Sequence, residues 1–490
     1  MRKVFYITQT ICIYLFIILF VYAAVSKLID FENFKVQVAQ SPLLSAFAST
    51  ITYAVVIGEL IIAVLLCFSK TRTWGLYLFL GFMTAFTVYI NLILNYSPFV
   101  PCSCGGVLEK MGWTEHLWFN IVFCFLAIGC IINTSANNTS KIKTISLLTG
   151  TIVTSTIIVV ILFLTSEHIM KKENPFVRRF LPHHIDKAEY LNLEVNSYYI
   201  AGLTNDTIYL GNYTAPLLIT AIPMDLSTKV EHQIKLEETE RSFRSLTVHI
   251  QNNDFYVSDG TIPIIYKGNT SNWQAKRFME TKIYFSLLQP IQTNEFLFRS
   301  QRASNGEHVL GKLTVKDTTR FELYDNALQK QIDGVFDTDG QLITDTKTQQ
   351  GIYTYYYRNQ YLVYTPQNNA FTLGKTIDTT TLAKIAVTTL ADGTKKMGAP
   401  PQKVNSKTYA YNGLLYIKSE LLGKNEPKSM WSQAIIIDVY DYNKTEYSYS
   451  FYAYDHQKDK IKEFALNDHY FFGLVGNSLV RYEISDEVNK

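Results

Sequence analysis

The placement of the apolar runs constrains this chain more than any other feature. Five stretches, Val4 to Val25, Ala46 to Phe68, Thr73 to Asn95, Leu117 to Ile132 and Thr144 to Leu164, are long and nearly free of charge, and all lie before residue 165. A bilayer core of about 30 Å takes about 20 apolar residues per helix, so each stretch reads as a membrane span. The fourth is the shortest, and is expected to be partly embedded or to extend into the loop before it. The first is too long, and leads too directly into more membrane sequence, for a cleaved signal peptide.

The rest of the chain belongs to a different solvent. Residues 1–165 carry nine Lys or Arg and five Asp or Glu, against 36 and 37 in the remainder. All six cysteines, Cys12, Cys67, Cys102, Cys104, Cys124 and Cys130, fall before residue 131. A disulfide-stapled secreted domain is thereby excluded for the second part. A net charge of +3 gives no reason to expect a nucleic-acid partner.

Basic residues of short loops stay in the cytoplasm. Arg2 and Lys3, Lys70 and Arg72, and Lys141 and Lys143 then fall on one side. This orientation puts the amino terminus in the cytoplasm, with the loop from Tyr96 to Thr114 and everything after Leu164 outside. Lys27, Lys35 and Lys110 depart from the rule.

The outer loop holds the chain's closest cysteine pair, in Pro101-Cys102-Ser103-Cys104-Gly105-Gly106. Two cysteines one residue apart close a small, strained ring where the backbone turns tightly, and proline and the two glycines favour such a turn. A strained bond is easily reduced, which suits electron exchange in an oxidising compartment. A fixed clip, two unconnected small residues or half of a metal site are the competing readings. A metal site is the weakest of these, because no second cysteine or histidine pair lies nearby. His116 is close in sequence to the pair and is a candidate for proton transfer. Glu59 lies deep in the second apolar run, where a carboxylate is costly unless it is protonated or meets a partner. Lys27 is the nearest candidate partner, and Asn91 is a candidate to share the same polar interior. A purely structural contact between helices is the bland alternative.

These residues also carry a family resemblance. Ser26-Lys27-Leu28-Ile29-Asp30-Phe31-Glu32-Asn33-Phe34, then Ser41-Pro42-Leu43-Leu44, Gly58-Glu59-Leu60, Asn91-Leu92 and Cys102-Ser103-Cys104-Gly105-Gly106 occur in that order. Over about residues 5 to 133 the chain resembles the MauE branch of the DoxX-like membrane proteins. Gly105 departs from the usual Cys-x-Cys-Phe-Gly of that family. The resemblance implies a four-helix bundle similar to quinone-coupled thiol oxidants, a thioredoxin-like extracytoplasmic partner, and Cys102 and Cys104 as the catalytic pair of a thiol-disulfide oxidoreductase. No metal cofactor is expected from the residues themselves.

After the fifth span, Lys171, Lys172, Arg178 and Arg179 form a basic juxtamembrane cluster expected at lipid headgroups. His183-His184 is a weak metal candidate. From Tyr190 onward, short alternating runs separated by Asn, Asp and Gly read as strands and turns. An asparagine before a hydrophobic strand recurs at Asn196, Asn253, Asn294, Asn359, Asn412 and Asn467. The mean interval of about 54 residues is near the roughly 40–50 of a propeller blade, so six blades are expected. A β-sandwich pair is the competing architecture. The expected organisation is a four-helix domain over 1–135, a loop and fifth spanning helix over 136–165, a linker over 166–189 and an extracytoplasmic propeller over 190–490. The expected setting is a bacterial plasma membrane, with a client protein recruited by the propeller. A membrane-anchored propeller that binds or scaffolds, with no redox activity, is the alternative.

Overall fold

The computed structural model describes residues 2–41, 43–96, 112–135, 140–181, 183–238, 241–315, 319–389, 395–456 and 459–485. Cys102 and Cys104 lie outside the described residues. The chain divides into two units, Met1–Pro182 with Gly423–Glu426, and His183–Leu422 with Pro427–Asp486.

The first unit is helical: α1 (Arg2–Ile29), α2 (Phe31–Gln40), a 3-10 turn (Ser45–Phe47), α3 (Ala48–Cys67), α4 (Arg72–Tyr96), α5 (Trp113–Ser135) and α6 (Lys141–Lys172). Five of these are long and apolar enough to cross a membrane. The fourth span extends into the loop before it, one of the two outcomes expected: α5 runs for 23 residues from Trp113. Its first turn holds Glu115 and His116, which hide the helix start from a search for apolar residues. The fifth likewise continues past Leu164 to Lys172. α2 was not anticipated. It is amphipathic, with Phe34 and Val38 buried one turn apart.

Helix α3 packs on α1 and α4, and α4 packs on α5 and α6. The core between them is aromatic and aliphatic, with Phe16 stacked on Phe79 at 4.2 Å between ring centroids and Leu66, Leu76, Leu80 and Ile131 fully enclosed. Close approach of α3 to α4 depends on Gly58, where a Cβ would stand 2.3 Å from Cζ of Phe82. Gly58→Ala is therefore expected to cost about 1–3 kcal/mol through overpacking. Thermal melting in detergent checks this, and Gly58→Ala with Phe82→Leu should recover most of the loss.

The basic cluster before the second unit needs correction. Arg178 and Arg179 are 2% and 1% exposed, not spread over headgroups. Arg178 Nη1 is 2.7 Å from Glu426 Oε1, and Arg179 Nη1 is 2.8 Å from Glu167 Oε1. Arg179 Nε also donates to Ser45 Oγ at 3.2 Å. A guanidinium with a carboxylate at this distance is better held by the protein than by a mobile headgroup.

The second unit is all-β. It begins with β1 (Ile185–Asn192), inside the stretch expected to be linker. Blade one comprises β2 (Tyr198–Leu203), β3 (Thr207–Asn212), β4 (Leu218–Pro223) and β5 (Val230–Gln233). Blade two comprises β6 (Lys235–Leu236), β7 (Thr247–Gln251), β8 (Asp254–Asp259), β9 (Ile264–Asn269) and β10 (Gln274–Glu280), with β6 added parallel to β10. Blade three comprises β11 (Leu287–Gln292), β12 (Glu295–Gln301), β13 (His308–Val315) and β14 (Thr319–Tyr324). Blade four comprises β15 (Gly340–Asp345), β16 (Gln350–Tyr355), β17 (Gln360–Thr365) and β18 (Ala370–Lys375). A hairpin, β19 (Val387–Thr389) and β20 (Lys395–Met397), precedes blade five, which comprises β21 (Asn405–Tyr411), β22 (Leu414–Ser419), a turn of helix α7 (Lys428–Trp431), β23 (Ala434–Asp441) and β24 (Glu446–Tyr454). Blade six comprises β25 (Ile461–Leu466), β26 (Tyr470–Val475) and β27 (Ser478–Ile484).

The innermost strands touch in a closed cycle, β2 to β7, β11, β15, β21, β25 and back to β2. That cycle defines a six-bladed propeller, as expected, and excludes the sandwich. Strand β1 pairs with β27 as the outer strand of blade six, so the start of the domain closes its last sheet. Glu463 bridges the closing seam: its Oε2 accepts from Ile200 N at 2.9 Å and its Oε1 lies 3.1 Å from Lys407 Nζ. Blades five, six and one are thereby joined by one carboxylate.

Candidate functional site

A lysine at the end of an apolar helix must find acceptors or reach out of the lipid. Lys27, in the last turn of α1, finds three. Its Nζ donates to Glu59 Oε1 at 2.7 Å, to Glu59 Oε2 at 3.1 Å and to Ala23 O at 3.3 Å. The ammonium also lies 5.7 Å from the centroid of the Phe34 ring on α2. Glu59 is 1% exposed and Lys27 17%. Two chain segments brought together by α1–α3 packing thus place a charge pair deep in the helical unit. The pair expected from sequence is formed.

The other expected members stand differently. His116, in the first turn of α5, is half-buried, with its ring centroid 6.5 Å from that of Phe119. Asn91 is exposed on α4, where its Oδ1 accepts from Asn95 Nδ2 at 3.1 Å. No contact among the described residues joins it to Glu59. His184 is buried against Tyr449 and Phe451, with ring centroids 5.2 and 4.6 Å away, and burial pushes its imidazole down to about 4. Among the described residues no group of three or more His, Cys, Asp or Glu is placed to hold a metal ion.

One residue was missed. Asn120, one turn beyond His116 on α5, is 2% exposed, and its Nδ2 has no hydrogen-bond partner among the described residues. A buried amide donor left open costs roughly 1–3 kcal/mol, so it marks a place where an acceptor group would be bound favourably. A lone Asn between Phe119 and Ile121 gives no sequence signal beyond its polarity. Sequence reasoning also missed the hydrogen bond between Ser41 and Tyr89, 2.8 Å between hydroxyl oxygens, which ties the segment after α2 to α4.

Over the helices that hold this pair, the chain matches one family model. Residues 4–133 match methylamine utilisation protein MauE. The helical unit therefore carries a MauE domain, built from α1 to α5, and α6 lies beyond it. No curated protein matches the chain. Three solved structures are similar to the second part. A member of the DUF4221 family from Bacteroides vulgatus is 10% identical, with a TM-score of 0.41, over 61% of this chain and 97% of that one. A putative exported protein from Bacteroides fragilis is 8% identical, with a TM-score of 0.38, over 61% and 95%. The protein YCF48 bound to D1 peptide is 12% identical, with a TM-score of 0.36, over 61% and 96%.

Proposed function

We propose that this multi-pass membrane protein is a thiol-disulfide oxidoreductase of the bacterial plasma membrane, with its amino terminus in the cytoplasm and its propeller outside. Cys102 and Cys104 exchange electrons between a thioredoxin-like extracytoplasmic partner and a membrane quinone, and the propeller recruits the client protein. In the oxidising direction, partner thiols reduce the Cys102–Cys104 disulfide. The quinone then takes two electrons and two protons from the dithiol and becomes the hydroquinone.

The observation that carries this reading is the buried Lys27–Glu59 pair of the MauE domain. His116 lies on the helix that the Cys102–Cys104 segment leads into, so an imidazole able to take a thiol proton is near that segment in the chain. The open Nδ2 of Asn120, one helical turn further, is a donor suited to a quinone carbonyl.

Thiol trapping tests the proposal. Intact cells are quenched with acid, and free thiols are alkylated with a large maleimide before and after reduction. The expected result is a mobility shift that is lost in Cys102→Ser and in Cys104→Ser, and that changes when respiratory quinone is depleted. Permanently free thiols, or a permanent bond indifferent to quinone, would overturn it, and the membrane-anchored binding propeller would take its place.

A further inference from the structure

Four cysteines among the described residues are free thiols, and two of them are buried. Cys12 on α1 and Cys130 on α5 are 8% and 5% exposed and sit in one apolar cluster with Ile13, Phe16, Ala127 and Ile131, one turn along each helix from the contacts of Gln9 with Asn133 and Thr134. A polar clasp fixes the two helices beside them. Gln9 Nε2 donates to Thr134 Oγ1 at 2.5 Å, Asn133 Nδ2 donates to Gln9 Oε1 at 2.7 Å, and Thr134 Oγ1 donates to Cys130 O at 2.8 Å. Cys124 is engaged elsewhere, 3.9 Å from Thr87 Oγ1, and Cys67 is exposed.

We propose that Cys12 and Cys130 are an intramembrane dithiol that closes reversibly to a disulfide, tying the first helix of the MauE domain to its last. Both S–H bonds break, one S–S bond forms, and two electrons and two protons leave together. The acceptor must take both and dissolve in an apolar interior, which selects a lipid-soluble quinone that becomes the hydroquinone. No charge is left among the aliphatic and aromatic neighbours, so burial does not oppose the net reaction. The pair does not serve the Lys27–Glu59 end directly. At 1.5 Å per residue, Cys12 lies about 22 Å along α1 from Lys27, and Cys130 about 21 Å along α5 from His116. The proposal therefore does not rest on the role assigned to Cys102 and Cys104.

The test uses full-length protein in membranes, with Cys102→Ser and Cys104→Ser so that four thiols remain. The membranes are treated with a short-chain ubiquinone analogue, quenched with acid, denatured and alkylated with a polyethylene-glycol maleimide. Four additions are expected before treatment, two after it, and four again after reduction. Adding Cys12→Ala or Cys130→Ala should give three additions both before and after. Four additions after treatment, or a two-thiol loss that persists in either alanine variant, would overturn the proposal. Mass mapping of the quinone-treated four-thiol protein decides the matter should those variants not accumulate: a cross-linked peptide holding Cys12 and Cys130 supports it, and any other pairing refutes it.

Discussion

Lys27→Met lowers the stability of the helical unit by about 3–5 kcal/mol, the usual cost of leaving a buried charge without its partner. Glu59 is 1% exposed, and Lys27 supplies both of its short contacts. Methionine keeps most of the length of the side chain and removes the ammonium, so the loss reports on charge rather than volume. The carboxyl can escape the penalty only by taking up a proton. The double variant Lys27→Met, Glu59→Leu removes both desolvation costs, and should recover most of the stability. Melting of the full-length protein in detergent, read on the helical signal, checks both. A single variant within about 1 kcal/mol of the parent, or a double variant as unstable as the single, would contradict the argument. The same pair of variants separates structure from chemistry. If Lys27 and Glu59 serve electron exchange, the double variant regains its melting temperature while its Cys102–Cys104 pair stays insensitive to quinone.

Much of this architecture is written in local pattern. The apolar runs identify all five spans because lipid allows no backbone to go unpaired, so length alone decides. The Lys27–Glu59 pair was legible for the same reason, since each charge in an apolar run demands a partner. Where polarity and burial part company, the sequence is silent. Arg178 and Arg179 look like a headgroup cluster until Glu426, 248 residues away from Arg178, is seen to pair with it. Asn120 looks incidental until packing buries it.

In the propeller, the asparagine marks gave the right number of blades, but their phase slips. Counted outward from the innermost strand, Asn253, Asn294, Asn412 and Asn467 precede the second strand of their sheets, whereas Asn196 precedes the first strand of blade one and Asn359 the third of blade four. Asn412 and Gly413 show what the better marks require, with φ of +51° and +86° at a two-residue hairpin turn that favours Asn-Gly. Strand β1 could not be foreseen, because its partner β27 lies at the other end of the domain.

Asp259→Asn is expected to destabilise the propeller by about 3–5 kcal/mol, because a buried carboxylate that accepts from several donors has no neutral substitute. Asp259 ends β8 and is fully buried. Its Oδ2 accepts from Arg244 N at 2.7 Å and Ser245 N at 3.0 Å, and its Oδ1 from Thr261 N at 2.9 Å and Thr261 Oγ1 at 2.7 Å. One side chain thus fixes the approach to β7 and the turn into β9. An asparagine must aim its NH2 at one of these sets of donors, whichever way it is turned. Burial alone would push the carboxyl up, but the N–H groups of Ser245, Arg244 and Thr261 outweigh it and hold the group below the ordinary aspartate value. A depressed folded-state pKa means that this stabilisation is complete above the unfolded value of about 3.9, and is lost as pH falls through the lower folded value. The gap between parent and Asp259→Asn in the propeller's unfolding transition should therefore be constant from pH 7 to about pH 5 and narrow below about pH 4. Calorimetry of both proteins across that range checks it. A gap that is small at pH 7, or that does not change with acid, would show that the buried hydrogen bonds do not act as a charged cap.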